Sequence, residues 1–197
     1  MIDLQNARIN TAGAYVWLND SFLFAIGIRP HNGCIPIVRL GGHREEHETS
    51  WQCAVREVYE EANLHIQPLL LQRTYVSDWD RIEGLQEIQW LHENEQQPVP
   101  FLVVTYRREE SMHLSLMYLA HAQGVLKPSS EVKGLLLLNE EEVHCLCHQS
   151  VTLEQYLCRG GQAILNAAFN TRLVLEPLAQ LRLLSRILSI QSKAKVT

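Results

Sequence analysis

Three glutamates, Glu57, Glu60 and Glu61, are spaced so that on a helix their carboxylates share one face. Like charges placed in this way repel one another by about a few tenths of a kcal/mol, so something positive belongs over that face. A divalent cation is the natural partner, because Mg²⁺ binds through a few hard carboxylate oxygens and keeps positions for substrate phosphates. A lysine-rich neighbouring surface would be the alternative. Arg56 directly precedes the trio, and a bidentate pair between it and Glu48 would fasten the preceding loop to the helix. Gly41 and Gly42, expected at a strand end, would let backbone come close to a metal or a phosphate. On geometry alone, a solvated glutamate-rich helix face suits the same residues.

The spacing narrows this choice. The segment from Gly42 to Leu64, GHREEHETSWQCAVREVYEEANL, resembles the Nudix box, G-x5-E-x7-R-E-U-x-E-E-x-G-U with U aliphatic. Gly42, Glu48, Arg56, Glu57, Val58, Glu60, Glu61 and Leu64 match, and Asn63 stands where the pattern has its second glycine. With each residue type at about 6% frequency, a match of this quality would arise in such a chain with a probability on the order of 10⁻⁵. Asn tolerates the left-handed backbone better than most residues, so Asn63 is a mild replacement.

The resemblance implies an α/β fold, an α/β/α sandwich with a mixed β-sheet and C-terminal helices, in which the box forms a loop-helix-loop. It also implies a metal-dependent pyrophosphohydrolase that splits a diphosphate linkage in a nucleoside diphosphate joined to another moiety, or in a nucleotide. By the same resemblance Glu57 and Glu61 are metal ligands, Glu60 is a third ligand or a water-polarising group, and the Gly41 carbonyl is an additional ligand, for Mg²⁺ or Mn²⁺. Arg56 and Glu48 position the loop. Family members take the proton from the attacking water with a box glutamate or with a carboxylate from a later loop. Glu109, Glu110, Glu131 and the run Glu140-Glu141-Glu142 are the later candidates here. For the substrate, Tyr75, Trp79 and Trp90 offer stacking surfaces, and Arg39, Arg73 and Arg107 offer phosphate contacts. The stretch 69 to 97 lacks the proline usual in ADP-ribose-cleaving members, and no SQPWPFPQS-like run of NADH-cleaving members is present.

The elements that must position these groups are legible in outline. Tyr15–Leu18, Phe22–Ile28 and Ile35–Leu40 read as short strands joined by turns at Asn19-Asp20 and His31-Asn32-Gly33. Thr49 and Ser50 are good N-caps for a helix over Trp51–Ala62, with Asn63 closing it. Further strands are expected at Leu69–Val76, Leu85–Leu91, Pro100–Arg107, His113–His121 and Leu135–Leu138, with an exposed turn from Asn94 to Pro98. TLEQYLCRG and EPLAQLRLLSRILS show helical spacing, the second with Leu178, Leu181, Leu184, Ile187 and Leu188 on one stripe. The expected division is a domain over residues 1–150 and a helical extension over 151–197 packed on it.

Bulk properties bound the rest. The 197 residues suit one globular domain with a sizeable core, and 17 basic against 22 acidic residues leave a net charge of −5. That balance, and the sparse basic residues of the tail, favour no nucleic acid or anionic membrane as partner. A small-molecule nucleotide-diphosphate substrate is the partner expected. The leucine-rich terminal helix suits core packing first and a homodimer contact second. No apolar run reaches bilayer length and the first residues carry no targeting pattern, so a cytoplasmic location is expected. Five scattered cysteines indicate reduced thiols. In the run His144, Cys145, Cys147, His148 the metal-ligand spacer is missing, which favours a structural role. Two rival functions use the same residues: a catalytically silent nucleotide or nucleotide-sugar sensor of Nudix-like fold, which would be expected to have lost box glutamates, and a binding module with an acidic helix, which would have no metal affinity.

Overall fold

The computed structural model describes residues 7–27, 33–79, 81–90, 97–109, 111–166 and 170–194. Parts of the expected turns (His31, Asn32 and residues 94–96), and Glu110, lie outside these residues. In chain order the elements are β1 (Arg8–Leu18), β2 (Ser21–Ile26), β3 (Cys34–Val38), β4 (Leu40–His43), α1 (Ser50–Ala62), β5 (His65–Pro68), β6 (Thr74–Asp78), β7 (Arg81–Ile88), β8 (Leu102–Arg108), β9 (Ser111–Gln123), β10 (Gly134–Leu138), α2 (Glu140–His148), α3 (Leu153–Cys158), β11 (Gln162–Leu165), β12 (Val174–Pro177) and α4 (Ala179–Ala194).

The strands form one mixed sheet whose main path runs β11-β10-β2-β1-β9-β8-β6-β7. β1 and β2 are joined by Asn19 and Asp20, both at positive φ, in the two-residue turn whose twist matches the flanking strands. β1 is central. It runs parallel to β9 along one edge, and along the other it pairs first with β4 over residues 11–14 and then with β2 over 16–18.

Alternation along the strands sends side chains to two separate cores. On one face Ala12, Ala14, Val16, Leu116 and Tyr118 pack with Cys53, Ala54, Val58 and Ala62 of α1. On the other, Tyr15, Leu102, Val104 and Met117 share a cluster with Val143 and Leu146 of α2 and with Leu181, Leu184, Ile187 and Leu188 of α4. The result is an α/β/α sandwich, as the sequence led one to expect. α1 is anchored tightly: Val58 is fully buried, which contributes about 1.5–3 kcal/mol by transfer alone.

Several elements differ from the sequence reading. Of the strand expected at Leu69–Val76 only Thr74–Val76 is strand, the start of β6; β5 ends before it at Pro68, and the chain between them exposes Leu70 almost completely. The run Glu140-Glu141-Glu142 and the His/Cys cluster that follows form α2, a helix the sequence reading did not place. Beyond residue 150 the chain adds two strands as well as helices: β11 extends the sheet beside β10, and β12 pairs in parallel with β3. Among the described residues, no helix is long and apolar enough to cross a membrane.

Candidate active site

Local sequence sets the helix that carries the acidic trio. Thr49 is its N-cap: its hydroxyl accepts from the Gln52 backbone, and the Gln52 side chain accepts from the Thr49 backbone. Asn63 closes it at φ 57°, the left-handed conformation expected of it, with its N–H on the Tyr59 carbonyl. Ser50 ties the first turn to the sheet through a 2.6 Å hydrogen bond between its hydroxyl and that of Tyr118.

The loop before α1 is held by Arg56. Its Nη2 and Nε donate to the two Glu48 carboxylate oxygens at 2.7 and 3.1 Å, and Nη2 also donates to the His43 carbonyl. This is the bidentate pair the sequence suggested, and it holds the Glu48 carboxyl down at about 2, well below the ordinary carboxylate range. Arg56 does more than was expected of it. Its Nη1 donates to Glu57 at 2.8 Å and to Glu60 at 3.0 Å, so it supplies part of the positive charge the acidic face requires.

Glu61 is placed differently. Its Oε2 accepts from the Gly41 N–H at 2.9 Å. Burial pushes its carboxyl up to about 7; the Gly41 N–H and the charge of Arg39 oppose the rise, and the charges of Glu57 and Glu131 add to it. Glu57 meanwhile lies against Gly42 so closely that a Cβ there would sit 2.3 Å from Oε1. Gly41 and Gly42 therefore form a backbone floor, Gly41 donating to Glu61 and Gly42 leaving room for Glu57, which a side chain at Gly42 would displace.

This donor set suits a hard divalent cation. The oxygens are carboxylate and backbone carbonyl, and Glu61 sits beside two other acids in a setting that disfavours its charged form until a cation is near. With Glu57 and Glu60 turned to Arg56, no three Asp, Glu, His or Cys side chains among the described residues are grouped as a metal cluster.

Other candidates separate clearly. Of the later acids, Glu131 stands near enough for its charge to act on Glu61. Its loop is bound to α1 by Ser129 N to Glu61 O and Lys127 N to Ala62 O, both 3.0 Å. Glu142 instead caps α2, on the opposite face of the sheet, and Glu109 is an exposed turn residue at positive φ. Tyr75 is buried edge-on against Phe101, whereas Trp79 is half exposed. Trp90 lines a cavity of about 330 Å³ beside the box loop, with Arg44, His47, Thr49 and Tyr118. A larger cavity of about 700 Å³ is bordered by Trp90, Arg73 and Glu87 but by none of the box residues. Arg73 is exposed and paired with Glu87, and Arg107 is exposed. Arg39 lies against Gly41.

The His/Cys run of α2 serves packing. His144 Nδ1 meets the Ser185 hydroxyl of α4 at 2.8 Å, and the Cys147 thiol reaches the Leu181 carbonyl.

The sequence reading did not anticipate Asn166. Its side-chain N–H groups donate to the carbonyls of Pro128, Ser129 and Val132, which fixes the Glu131 loop from the C-terminal part of the chain. No local pattern marks such a residue.

The family model described as NUDIX domain matches residues 8–156. Similar solved structures include a NUDIX hydrolase from Nitrosomonas europaea (19% identity, TM-score 0.43), where the likeness covers 72% of this chain and 62% of that one. The present chain thus spans less than two thirds of that neighbour. Others are a NUDIX-family hydrolase from Clostridium perfringens (20%, TM-score 0.45, covering 68% and 82%) and a MutT NUDIX hydrolase from Burkholderia pseudomallei (16%, TM-score 0.43, covering 77% and 94%). No curated protein matches the chain.

Proposed function

The chain belongs to the NUDIX domain family, and from that membership we propose that it is a Mg²⁺- or Mn²⁺-dependent pyrophosphohydrolase acting on a nucleoside diphosphate linked to another moiety, or on a nucleotide. The observation that carries this reading is the arrangement of Glu57 and Glu61 over the Gly41-Gly42 backbone, braced by the Arg56–Glu48 pair. Glu57, Glu61, Glu60 and the Gly41 carbonyl would hold the cation. A divalent ion there neutralises diphosphate charge and lowers the pKa of water.

The chain's own residues do the rest. Arg56 keeps Glu57 and Glu60 oriented, and because Glu48 occupies its other edge, the loop and helix move as one unit. The Gly41 N–H holds the Glu61 Oε2 in place. A water in line with the scissile P–O bond attacks phosphorus, two phosphate products separate, and the water's proton passes to a box glutamate or to Glu131. Trp90, which lines the cavity beside the box loop, offers a stacking face for a base. We assign the catalytic machinery to residues 1–150 and a supporting role to 151–197. The protein would work in the cytoplasm on small molecules rather than on nucleic acid or membrane, with α4 available for a homodimer contact.

The test is purified protein with Mg²⁺ or Mn²⁺ and a panel of dinucleotides, nucleoside triphosphates, nucleotide sugars and coenzyme A, with Glu61→Gln in parallel. Metal-dependent release of phosphate after coupled phosphatase, absent in Glu61→Gln, is the expected result. Silence across the panel together with nucleotide-sugar binding would replace the enzyme with the sensor, and absence of metal binding by calorimetry would leave only a binding module.

A further inference from the structure

Arg39 occupies the single position between β3 and β4, where the chain leaves β2 and crosses to β1. Its Nη1 donates to the Ala12 carbonyl at 3.2 Å. The guanidinium fits there only because two residues facing each other across β1 and β4, Gly13 and Gly41, have no side chains. A Cβ at Gly13 would lie 2.7 Å from Nη1, and one at Gly41 would lie 2.1 Å from it. The backbone thus forms a slot for this one cation. The slot shares a wall with the candidate site, since Gly41 also donates to Glu61 and the next residue, Gly42, lies against Glu57.

Among the described residues, Ala12 is the only hydrogen-bond partner shown for Arg39, and no carboxylate comes within ion-pair distance of it. A guanidinium has five donors, and the one carbonyl engages only Nη1, while the charges of Glu61 and Glu57 act on it from beyond ion-pair distance. The other arginines near the box are committed. Arg56 is saturated by three glutamates, and Arg44 holds the Ile9 and Glu48 carbonyls. A planar fork of donors matches two oxygens of adjacent phosphates better than it matches a lone carbonyl.

We propose that Arg39, seated in the Gly13–Gly41 slot, binds the diphosphate of the substrate directly beside the Glu57/Glu61 carboxylates. This rests on the hydrolase reading and adds to it a phosphate-binding residue outside the box. The alternative role, a countercharge that merely steadies Glu61, gives a different result in the same experiment.

The experiment is calorimetric titration of wild type, Arg39→Gln and Arg39→Lys, first with Mg²⁺ alone and then with α,β-methylene-ADP at saturating Mg²⁺. Loss of a bidentate charged contact should weaken nucleotide binding about tenfold or more in Arg39→Gln. Arg39→Lys, which keeps the charge in the slot but loses the fork, should weaken it several-fold and guards against a variant that fails to fold. Mg²⁺ affinity should stay within about twofold of wild type in both, a shift small on the free-energy scale. Nucleotide affinity unchanged in Arg39→Gln, or Mg²⁺ affinity falling in parallel with it, would overturn the proposal. A wild type that hydrolyses its substrate while Arg39→Gln does so with the same KM removes this inference alone. A wild type inert toward the whole panel removes the hydrolase reading, and this inference with it.

Discussion

Arg56 reaches Glu48, Glu57 and Glu60 at once, so one side chain sets the geometry of three of the four box acids. The fourth, Glu61, is held by backbone in a more buried place, and its protonation is tied to stability. Its folded-state pKa is about 7 against an ordinary 4.5. A carboxyl raised in this way binds more protons folded than unfolded, so it costs stability increasingly as pH rises from 4.5 to 7 and fully above that. Metal-free Glu61→Gln should therefore melt higher than wild type at pH 8, by up to about 3 kcal/mol, and the gain should vanish near pH 4.5. Added Mg²⁺ should stabilise wild type and not the variant; a thermal melt that shows no pH-dependent gain would contradict the placement of Glu61. Glu48 has the opposite sign. Its folded-state pKa of about 2 lies below the ordinary 4.5, so its contribution is present above pH 4.5 and is lost as pH falls toward 2. Urea titration of Glu48→Gln should show a loss of about 1–2 kcal/mol at pH 7, discounted for solvent screening, that closes as the pH is lowered through this window.

At the scale of elements, α1 was the most legible part of the chain and α2 the least. Both have full capping boxes: Thr49 with Gln52, and Asn139 with Glu142. The α1 box stands before a long stretch of helix formers, whereas the α2 box sits in an acid run that reads equally well as exposed loop. The four-residue pattern at Asn139 was the available signal. β11 and β12 were missed for another reason: they are four residues each and owe their existence to partners far away in sequence, β10 and β3. Asn166, which follows β11, carries the loop of Glu131 on its side chain. Asn166→Ala should leave the part-buried carbonyls it bonds to water, lowering stability by about 0.5–1.5 kcal/mol. It should also speed amide exchange at Ser129, whose N–H bonds the Glu61 carbonyl. Exchange at Ser129 equal to wild type would show that the loop is held by other means.

At the scale of the whole molecule, residues beyond 150 are woven into the sheet rather than laid upon it. α4 gives Leu181, Leu183, Leu184, Ile187 and Leu188 to the core, and Tyr15 of the central strand donates its hydroxyl to the Gln180 carbonyl. Removing residues 151–197 would take α4 from one face, leaving only α2 there, and would leave β3 and β10 each paired with β2 alone. Such a truncation should fail to give a cooperative melt by circular dichroism, even though every box residue is retained. A folded, cooperative 1–150 fragment would show instead that the first part is an autonomous unit.

Short-range chemistry was readable directly from the sequence. The caps of α1, the left-handed Asn63, the Asn19-Asp20 turn and the Arg56–Glu48 bidentate pair each depend on residues within about one to three helical turns of one another, whose relative positions the backbone geometry dictates. The alternation that sends β1 to two cores is local in the same sense. What only the tertiary structure decided is which distant groups share the site. Glu131 rather than Glu142 is brought to Glu61 because β10 and α2 carry the chain across to the opposite face within ten residues. Arg39 is singled out from Arg73 and Arg107 because Gly13 and Gly41, twenty-eight positions apart, are paired across two strands and leave room for it. Strand pairing of that range is set by the packing of both cores together, and no window of sequence contains it.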